Sequence, residues 1–402
     1  YTKYPIKSVM ILLHISAPHF ARLPVYHHLT IKSSNHRRKI LFMQKKFIPF
    51  SIVIIFLTLS LCACTGPSND QKTSDHKQPV SKKQFDSDGF TIAYCDTSQL
   101  ETWRIQMLAE FEQAAGELKT EGIIDEYYVT NANGDPAKQI NDINNMIQKG
   151  VDGIILCATS PTAIQSAVDD AMNAGIKVVN LNSLVKSNNV TSKIYQSDIA
   201  FGQICADFIV NKLNGKGNIL VLNGIAGSEI SNERWIGAEN VFKEYPDIHI
   251  LSTAYADWSY DKGYQATLDL LNENAEIDGV WSQGGAMTQG AIDAFQEKEL
   301  PLVPMSGEAS NGFLRTWIEC QKSTSFDSIC PNYTATISVT ALNTLIDALK
   351  GKKVSQEIEL PIDTITSENI YDYYRSDLND NFWCDTQLSD ANLKKLYQRD
   401  EE

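Results

Sequence analysis

Histidine is nearly missing from most of this 402-residue sequence: five of its seven fall within residues 1–42, leaving His76 and His249 downstream. Catalytic schemes and zinc sites that draw on several histidines are therefore excluded for the folded part, and no cysteine spacing resembles a zinc framework. Acid is missing from the other end. Residues 1–63 hold nine Lys or Arg and not one Asp or Glu, so all 49 acids stand downstream against 26 bases, a net charge of −23. A body that acidic stays soluble and repels nucleic acid and anionic lipid, which excludes a nucleic-acid partner. Phosphate-cradling glycines are missing too. Gly284-Gly285 lacks the GxGxxG spacing, no Gly-Lys-Ser or Gly-Lys-Thr follows it, and "GKG" at 215–217 precedes its strand, the wrong side for a P-loop. No cofactor and no metal site is implied. Acid–base chemistry by carboxylates stays open in principle, without a motif behind it.

What is present begins with "MQKKFIPFSIVIIFLTLSLCAC" from Met43. Lys45 and Lys46 form a positive n-region, an apolar stretch runs from Phe47 to Leu61, and small Ala63 precedes Cys64, which is the layout of a secretory signal. A transmembrane helix is the other reading, since the run could nearly span a bilayer. "LCAC" resembles the lipobox of bacterial lipoproteins. That resemblance implies cleavage between Ala63 and Cys64, with Cys64 as the lipid anchor holding the protein to the extracytoplasmic face of the cell membrane. It gives Cys62 and Cys64 separate fates instead of a shared metal or redox site. Residues 1–42 are basic, acid-free and begin with Tyr; since a signal starting at Met43 is self-sufficient, they are expected to be a non-native upstream extension. Residues 64–88 are polar and nearly free of apolar side chains, the composition of a flexible tether.

From Phe90 onward, short apolar β-prone runs alternate with helical spacing. "FTIAYC" (90–95) leads into a helix over 101–118 with Trp103, Met107, Leu108, Phe111 and Ala115 on one face. "EYYVTNA" precedes a helix opened by Asp135-Pro136, an N-cap followed by Pro at the first helical position. "DGIILCA" precedes another opened by Ser160-Pro161. "KVVNLN" and "KIYQS" follow. A second set runs through helix 199–213, "NILVLNG", helix 231–244, "IHILSTAYA", helix 260–273, "GVWSQG", helix 287–297, "LVPMSG" and helix 311–321. Continuously apolar strands alternating with helices predict parallel sheets covered on both faces. So many strands are expected to divide between two α/β lobes, with ligand residues just after the strands' carboxyl ends.

The pieces "GVDGIILCATSP", "AGIKVVNLNS", "YQSDIAFGQICADFI", "NILVLNGIAGSEISNERWIGAENVF" and "IDGVWSQGGAMTQGAIDAF", in this order and spacing, resemble the ribose-type solute-binding proteins of ABC importers. The resemblance runs from Phe90 to about Ile365. It implies the type I periplasmic-binding-protein fold, two doubly wound parallel-sheet lobes joined by a three-segment hinge. The N-terminal lobe is expected over 89–197 plus 331–356 and the C-terminal lobe over 198–330 plus 361–402. The crossings are expected near Ser197–Asp198, near Cys330–Pro331 and within 355–361, with helix 334–350 returning to the first lobe. LacI-type repressors share the fold but carry an N-terminal helix-turn-helix; here a lipoprotein signal stands in that place and the body is acidic.

The resemblance also implies a monosaccharide or similar polyol in the cleft between lobes, aromatic rings on its C–H faces and polar groups on its hydroxyls. Trp103 falls where the family has an aromatic after the first strand, although a core tryptophan would look the same. Ser98 and Gln99, in the polar loop before it, are expected to face ligand. Asn182 matches a family aspartate, and Ser183 replaces the family arginine. Ser197 lies at the first crossing. Arg234 matches a family arginine at a helix start; an ion pair with Glu233 or Glu239 is its other reading. Trp258 is a second stacking candidate. Gly284-Gly285 replaces a family Asn-Asp pair, with Gln283 taking over as donor and acceptor, and the missing side chains are expected to leave room for a larger ligand or more water. Glu308 matches a family aspartate; its other reading is a surface acid in a loop. Cys95 with Cys157, and Cys320 with Cys330, are possible disulfides, and buried thiols are the alternative.

The expected function is a monomeric, extracytoplasmic substrate-binding lipoprotein that delivers a sugar-like molecule to an ABC permease and performs no chemistry. A sensory receptor presenting a small-molecule signal to a membrane kinase is the alternative, and a surface-anchored carbohydrate-active enzyme a more distant one.

Overall fold

Alternation along single strands assigns the two faces of each sheet. On Phe90–Asp96 (β1), Ile92 and Tyr94 enter one apolar cluster while Ala93 and Cys95 enter another, as side chains of a strand must. The first cluster is closed by Thr102–Thr120 (α1) through Met107, Phe111 and Ala115. The second is closed by Pro136–Lys149 (α2) and Gln165–Asn173 (α3) through Ile143, Met146, Val168 and Ala171. Gly153–Leu156 (β3) is buried along its whole length, which is why it reads as an uninterrupted apolar run. Each fully buried Ile or Phe on these faces contributes about 1.5–3 kcal/mol.

The computed structural model describes residues 89–273 and 276–399. The upstream extension, the signal segment, Cys64 and the tether expected over 1–88 lie outside the described residues. Ile124–Asn131 (β2), Lys177–Leu181 (β4) and Ser192–Tyr195 (β5) complete the elements of the first set. The second set runs Asp198–Lys212 (α4), Gly217–Asn223 (β6), Glu229–Phe242 (α5), Ile248–Tyr255 (β7), Tyr260–Asn272 (α6), Gly279–Ser282 (β8), Gly285–Glu297 (α7), Met305–Ser306 (β9), Asn311–Gln321 (α8) and Ser328–Asn332 (β10). Ile337–Leu349 (α9), Glu357–Glu359 (β11), Asp363–Ile365 (β12), Ile370–Tyr373 (α10) and Asp390–Tyr397 (α11) follow.

Among the described residues these strands form two six-stranded sheets, ordered β11-β5-β4-β3-β1-β2 and β12-β10-β9-β8-β6-β7. The first is parallel throughout; the second is parallel except where β12 runs antiparallel to β10. The molecule is thus two α/β lobes. In the second, α4 and α5 cover the face of Ile219, Val221 and Trp281, and α6, α7 and α8 cover that of Leu220, Leu222 and Val280. α4 and α5 approach closely at Gly202, where a Cβ would stand 1.8 Å from the Arg234 carbonyl oxygen. That contact brings Arg234 beside the start of α4.

Three details differ from the sequence reading. The segment opened by Ser160-Pro161 is a turn, and α3 starts only at Gln165; Ser160 Oγ accepts from the Thr162 and Ala163 amides instead of launching a helix. β10 continues through Pro331 to Asn332 because β12 pairs with it there, so the second crossing falls after Asn332, not at Cys330–Pro331. β11 pairs with β5, which carries the first lobe to Glu359 instead of 356 and leaves the third crossing at residues 360–362.

All three crossings meet at one buried side chain. Gln196 Nε2 donates to the carbonyls of Asn332 (3.2 Å) and Pro361 (2.8 Å), and its Oε1 accepts from the Thr334 amide at 2.8 Å.

The chain beyond β12 does not stay on the second lobe. Ile365 and Ile370 enter that lobe's core, and Asn311 at the start of α8 holds the backbone of Arg375, Leu378 and Asn379. Leu378, Phe382, Leu388, Leu393 and Tyr397 then form a small cluster against Ala109 of α1. Gln106 and Trp383 exchange hydrogen bonds at 2.9 and 3.0 Å, Trp383 Nε1 donates to Thr102, and Glu110 accepts from the Gln387 amide at 3.0 Å. Residues 375–399 are therefore a strap joined to both lobes, a correction to the expectation that 361–402 belongs to the second lobe alone.

Candidate functional site

The carboxyl ends of the strands in both lobes carry one continuous polar network. In the first lobe, the last residue of β1 is Asp96, 1% exposed, whose Oδ1 accepts from the Thr97 amide at 2.8 Å. Arg104, on the first turn of α1, lies 3.7 Å from that same Oδ1. Its Nη1 also donates to the Cys157 Sγ just past β3 (3.1 Å), and its Nη2 to Asn182 Oδ1 just past β4 (3.4 Å). Asn182 adopts φ 57°, a left-handed conformation that Asn tolerates better than most residues. Ser183 Oγ donates to Asn182 Oδ1 at 3.3 Å.

Tyr333 connects the lobes. Its hydroxyl accepts from Asn182 Nδ2 and donates toward Asp198 Oδ2, both at 3.4 Å. Trp103 Nε1 donates to the Tyr333 carbonyl at 2.8 Å, and the two rings lie 5.7 Å apart. Trp103 is half-buried against the cores of both lobes, so it packs and faces the network at once.

In the second lobe Arg234 is 3% exposed. Its Nε donates to Asp198 Oδ1 at 2.9 Å, and its Nη1 to the Gln283 carbonyl at 3.0 Å and Glu308 Oε1 at 2.9 Å. Its guanidinium lies 3.7 Å from the Phe201 ring centroid. The pairing with Glu233 or Glu239 is not formed; Asp198 and Glu308 take the guanidinium, and Glu308 is a buried acid. Gln283 Nε2 donates to Asn223 Oδ1 (2.7 Å) and to the Ser231 carbonyl (2.9 Å).

Ser197 is placed differently from the rest. Its hydroxyl accepts from the Ala200 amide at 3.2 Å and caps α4. Ser98 accepts from the Leu100 amide at 3.4 Å, and Gln99 Oε1 from Asn131 Nδ2 at 3.5 Å. The glycine pair does not leave open room. A Cβ at Gly284 would stand 2.7 Å from Trp258 Cδ1, and one at Gly224 would stand 2.3 Å from Trp258 Cζ2. The indole thus occupies the slot that these two glycines open, while Phe313 and the Glu308 backbone fill the space beside Gly285. Asp257 and Trp258 both have positive φ, 52° and 54°, turning the chain so that the ring folds back over β6 and β8.

Electrostatics follow from burial. Burial pushes the Asp96 carboxyl up to about 6, against Arg104 and the Thr97 amide. Asp198 and Glu308 are likewise raised by burial, with Arg234 opposing. Burial works against the charge of both arginines, but their neighbours outweigh it, Cys157 and Asp96 for Arg104, Glu308 and Asp198 for Arg234. With all five groups ionised the network holds one excess negative charge. All six described cysteines are free, so neither Cys95 and Cys157 nor Cys320 and Cys330 are bridged.

Among the described residues, the buried polar atoms of this region without a partner include Asp96 Oδ2, Gln99 Nε2, Ser231 Oγ, Trp258 Nε1 and Gln283 Oε1. They include donors and acceptors from both lobes. Arg104, Cys157, Asp198, Asn223 and Tyr333 are not singled out as ligand residues by the sequence. The available signal was positional: three of the five, Cys157, Asn223 and Tyr333, end a strand or immediately follow one.

The sequence profile of the family described as "Periplasmic binding protein domain" matches residues 92–353. A ribose import binding protein of Bacillus subtilis (strain 168) is 25% identical over 234 residues, covering 58% of this chain and 75% of the relative. A xylitol-binding protein of Mycolicibacterium smegmatis is 27% identical over 241 residues, covering 60% of this chain and 68% of the relative. An ABC transporter solute binding protein from Thermobispora bispora superposes with a TM-score of 0.66 at 24% identity, covering 76% of this chain and 94% of that one, a likeness of fold.

Proposed function

The chain belongs to the periplasmic binding protein domain family, of the type I kind found in ABC sugar importers, and on that premise we propose that it is the substrate-binding lipoprotein of such an importer. It holds a monosaccharide or similar polyol between its lobes and delivers it to the permease from the extracytoplasmic face, anchored through Cys64. Relatives named for binding ribose and xylitol support a small polyhydroxylated ligand and a binding role without turnover.

The observation that carries the reading is the set of unpartnered atoms at the strand ends. Buried polar groups in native proteins nearly always find a partner, and each one left alone costs about 1–3 kcal/mol. Here donors (Gln99 Nε2, Trp258 Nε1) and acceptors (Asp96 Oδ2, Gln283 Oε1) stand on both lobes. A hydroxyl both donates and accepts, so a polyol satisfies such a mixed set where a purely anionic or cationic group does not. Trp103 and Trp258 offer ring surface for the C–H faces of a sugar. Ligand that contacts both lobes favours the closed arrangement about the Gln196 hinge, and closure is the signal a permease reads.

A thermal-shift screen over neutral monosaccharides and alditols tests the proposal. At least one should raise the melting temperature by several degrees, because a ligand at about 1,000 times its Kd stabilises the folded state by about 4 kcal/mol. No shift from any of them would overturn it. Membrane anchoring is tested separately: mass spectrometry of the membrane-fraction protein should show Cys64 as the first residue carrying a diacylglyceryl group, and an unmodified Cys64 would count against the lipid anchor.

A further inference from the structure

We propose that the strap of residues 375–399 is a latch between the lobes: its Trp383 joint to α1 must part before the cleft can open, so it sets how fast ligand leaves. The strap lies beyond residues 92–353, the span that the family profile matches. The release-rate part of the inference rests on the polyol reading of the cleft; the latch itself does not.

Residues 382–384 are strung from one lobe to the other. In extended backbone the polar groups of successive residues point to opposite sides. Phe382 and Cys384 turn theirs to the second lobe, where the Phe382 carbonyl accepts from the Asn311 amide at 2.8 Å and the Cys384 amide donates to the Ala309 carbonyl at 3.1 Å. Trp383, between them, turns the other way. Its amide donates to Gln106 Oε1 at 2.9 Å, its carbonyl accepts from Gln106 Nε2 at 3.0 Å, and its indole N–H donates to Thr102 Oγ1 at 2.8 Å. One residue thus commits its backbone and its ring to the first lobe while its neighbours hold the second.

α1 and the hinge are both fitted to this joint. Gln106 and Glu110 stand one turn apart on α1 and are 0% and 1% exposed, a costly place for polar side chains without partners. The strap supplies the partners: Trp383 takes Gln106, and Glu110 accepts from the Thr386 hydroxyl and the Gln387 amide. Asp385, at φ 70°, turns the chain between the two attachments. Its Oδ2 accepts from Thr334 Oγ1 at 3.1 Å, and the Thr334 amide is held by Gln196, where the three crossings meet.

Rotation of the lobes apart carries Ala309–Asn311 away from Thr102–Glu110. From Cys384 to Gln387 the chain reaches at most about 10–11 Å when fully extended, so the strap cannot follow both lobes far. Cys384 is buried in the second lobe's core and Trp383 is only half-buried, so the bonds of Trp383 to α1 are the ones that part. Bonds present in the closed arrangement and absent from the open one favour closure alone.

Two measurements on the full chain test this: small-angle X-ray scattering without ligand, and stopped-flow release of a bound neutral sugar or alditol from a panel including ribose and xylitol. Gln106→Ala removes both backbone bonds of Trp383, and Thr102→Val removes the indole's acceptor. Both variants should scatter as more open than the native chain when free of ligand. Release from Gln106→Ala should quicken about tenfold, the equivalent of about 1.4 kcal/mol, and from Thr102→Val by less. If Gln106→Ala does not fold, Thr102→Val carries both measurements. Val168→Ala, a change in the first lobe's core away from the strap, should lower Tm yet leave scattering and release native. Native scattering and native release in the strap variants, or equal changes in Val168→Ala, would overturn the latch while leaving the polyol site standing. Failure of every neutral compound to bind the native chain would overturn the polyol reading, and the scattering comparison would still decide the latch.

Discussion

Alanine at Gly284 puts a single methyl group where the Trp258 ring already stands. The added Cβ would lie 2.7 Å from Cδ1 of the indole and 3.3 Å from Met287 Cε, whereas relaxed carbon contacts are about 3.5–4.0 Å. The ring must give by about 1 Å, and Gly224 leaves it no slack at its other edge. Gly284 itself has φ −157°, an extended conformation open to any residue, so the substitution tests packing alone. Overpacking of this kind costs about 1–3 kcal/mol, or several degrees in Tm. A displaced indole also loses its contact with ligand, about 0.5–1.5 kcal/mol, which weakens binding roughly two- to twelvefold. Melting curves and titrations of the native chain, Gly284→Ala, Trp258→Ala and the double variant form a cycle that isolates the contact. Gly284→Ala should be costly while the indole is present and nearly silent in the Trp258→Ala background. Equal costs in both backgrounds, or no cost in either, would refute the wedge.

Stability should depend on pH in an unusual direction. Asp96 titrates near 6 in the folded chain and near its ordinary 3.8 when unfolded, so between those values the native state holds the extra proton and stability rises as pH falls. The shift corresponds to on the order of 3 kcal/mol, fully expressed below pH 4 and absent above pH 6. Asp198 and Glu308, raised in the same sense, add to it. Tm should therefore climb from pH 7.5 to 5.0 and climb less in Asp96→Asn; a fall on acidification, identical in both, would contradict this. Asn311→Ala removes the side chain that holds Arg375, Leu378 and Asn379, leaving several backbone groups unpaired at about 1–3 kcal/mol each. Limited proteolysis should then cut within 375–399 faster than in the native chain, and an unchanged cutting rate would show that the strap does not depend on this contact.

The frame of the molecule was legible because it depends on periodicity. Wholly apolar β3, the Asp135-Pro136 start of α2 and the regular β–α spacing each state their element locally. Arg234 could be singled out because it matches a family arginine at a helix start, and Glu308 because it follows a strand in a family-like segment. Arg104 could not, since its partners Cys157 and Asn182 come from strands far along the chain and nothing in "ETWRIQ" marks the arginine over its neighbours. The Gly284-Gly285 pair pointed to open space because a sequence shows missing side chains but not the ring that fills them. β11, "EIE", is too short and too polar to announce itself, so the sequence alone ends the first lobe too early. The strap escaped for a similar reason: its apolar residues Leu378, Phe382, Leu388 and Leu393 are scattered among polar ones, and only the fold shows that they meet Ala109.

On the proposed function, one polyol is gripped by both lobes at once. Isothermal titration of the strongest neutral ligand into the native chain, Asn182→Gly and Trp258→Ala tests it most directly. Asn182→Gly removes a first-lobe side chain while keeping freedom for the positive φ there, and Trp258→Ala removes a second-lobe ring. One site per chain and a clear loss of affinity in each variant are expected. Affinity that falls in one variant and stays native in the other, or a stoichiometry other than one, would contradict it.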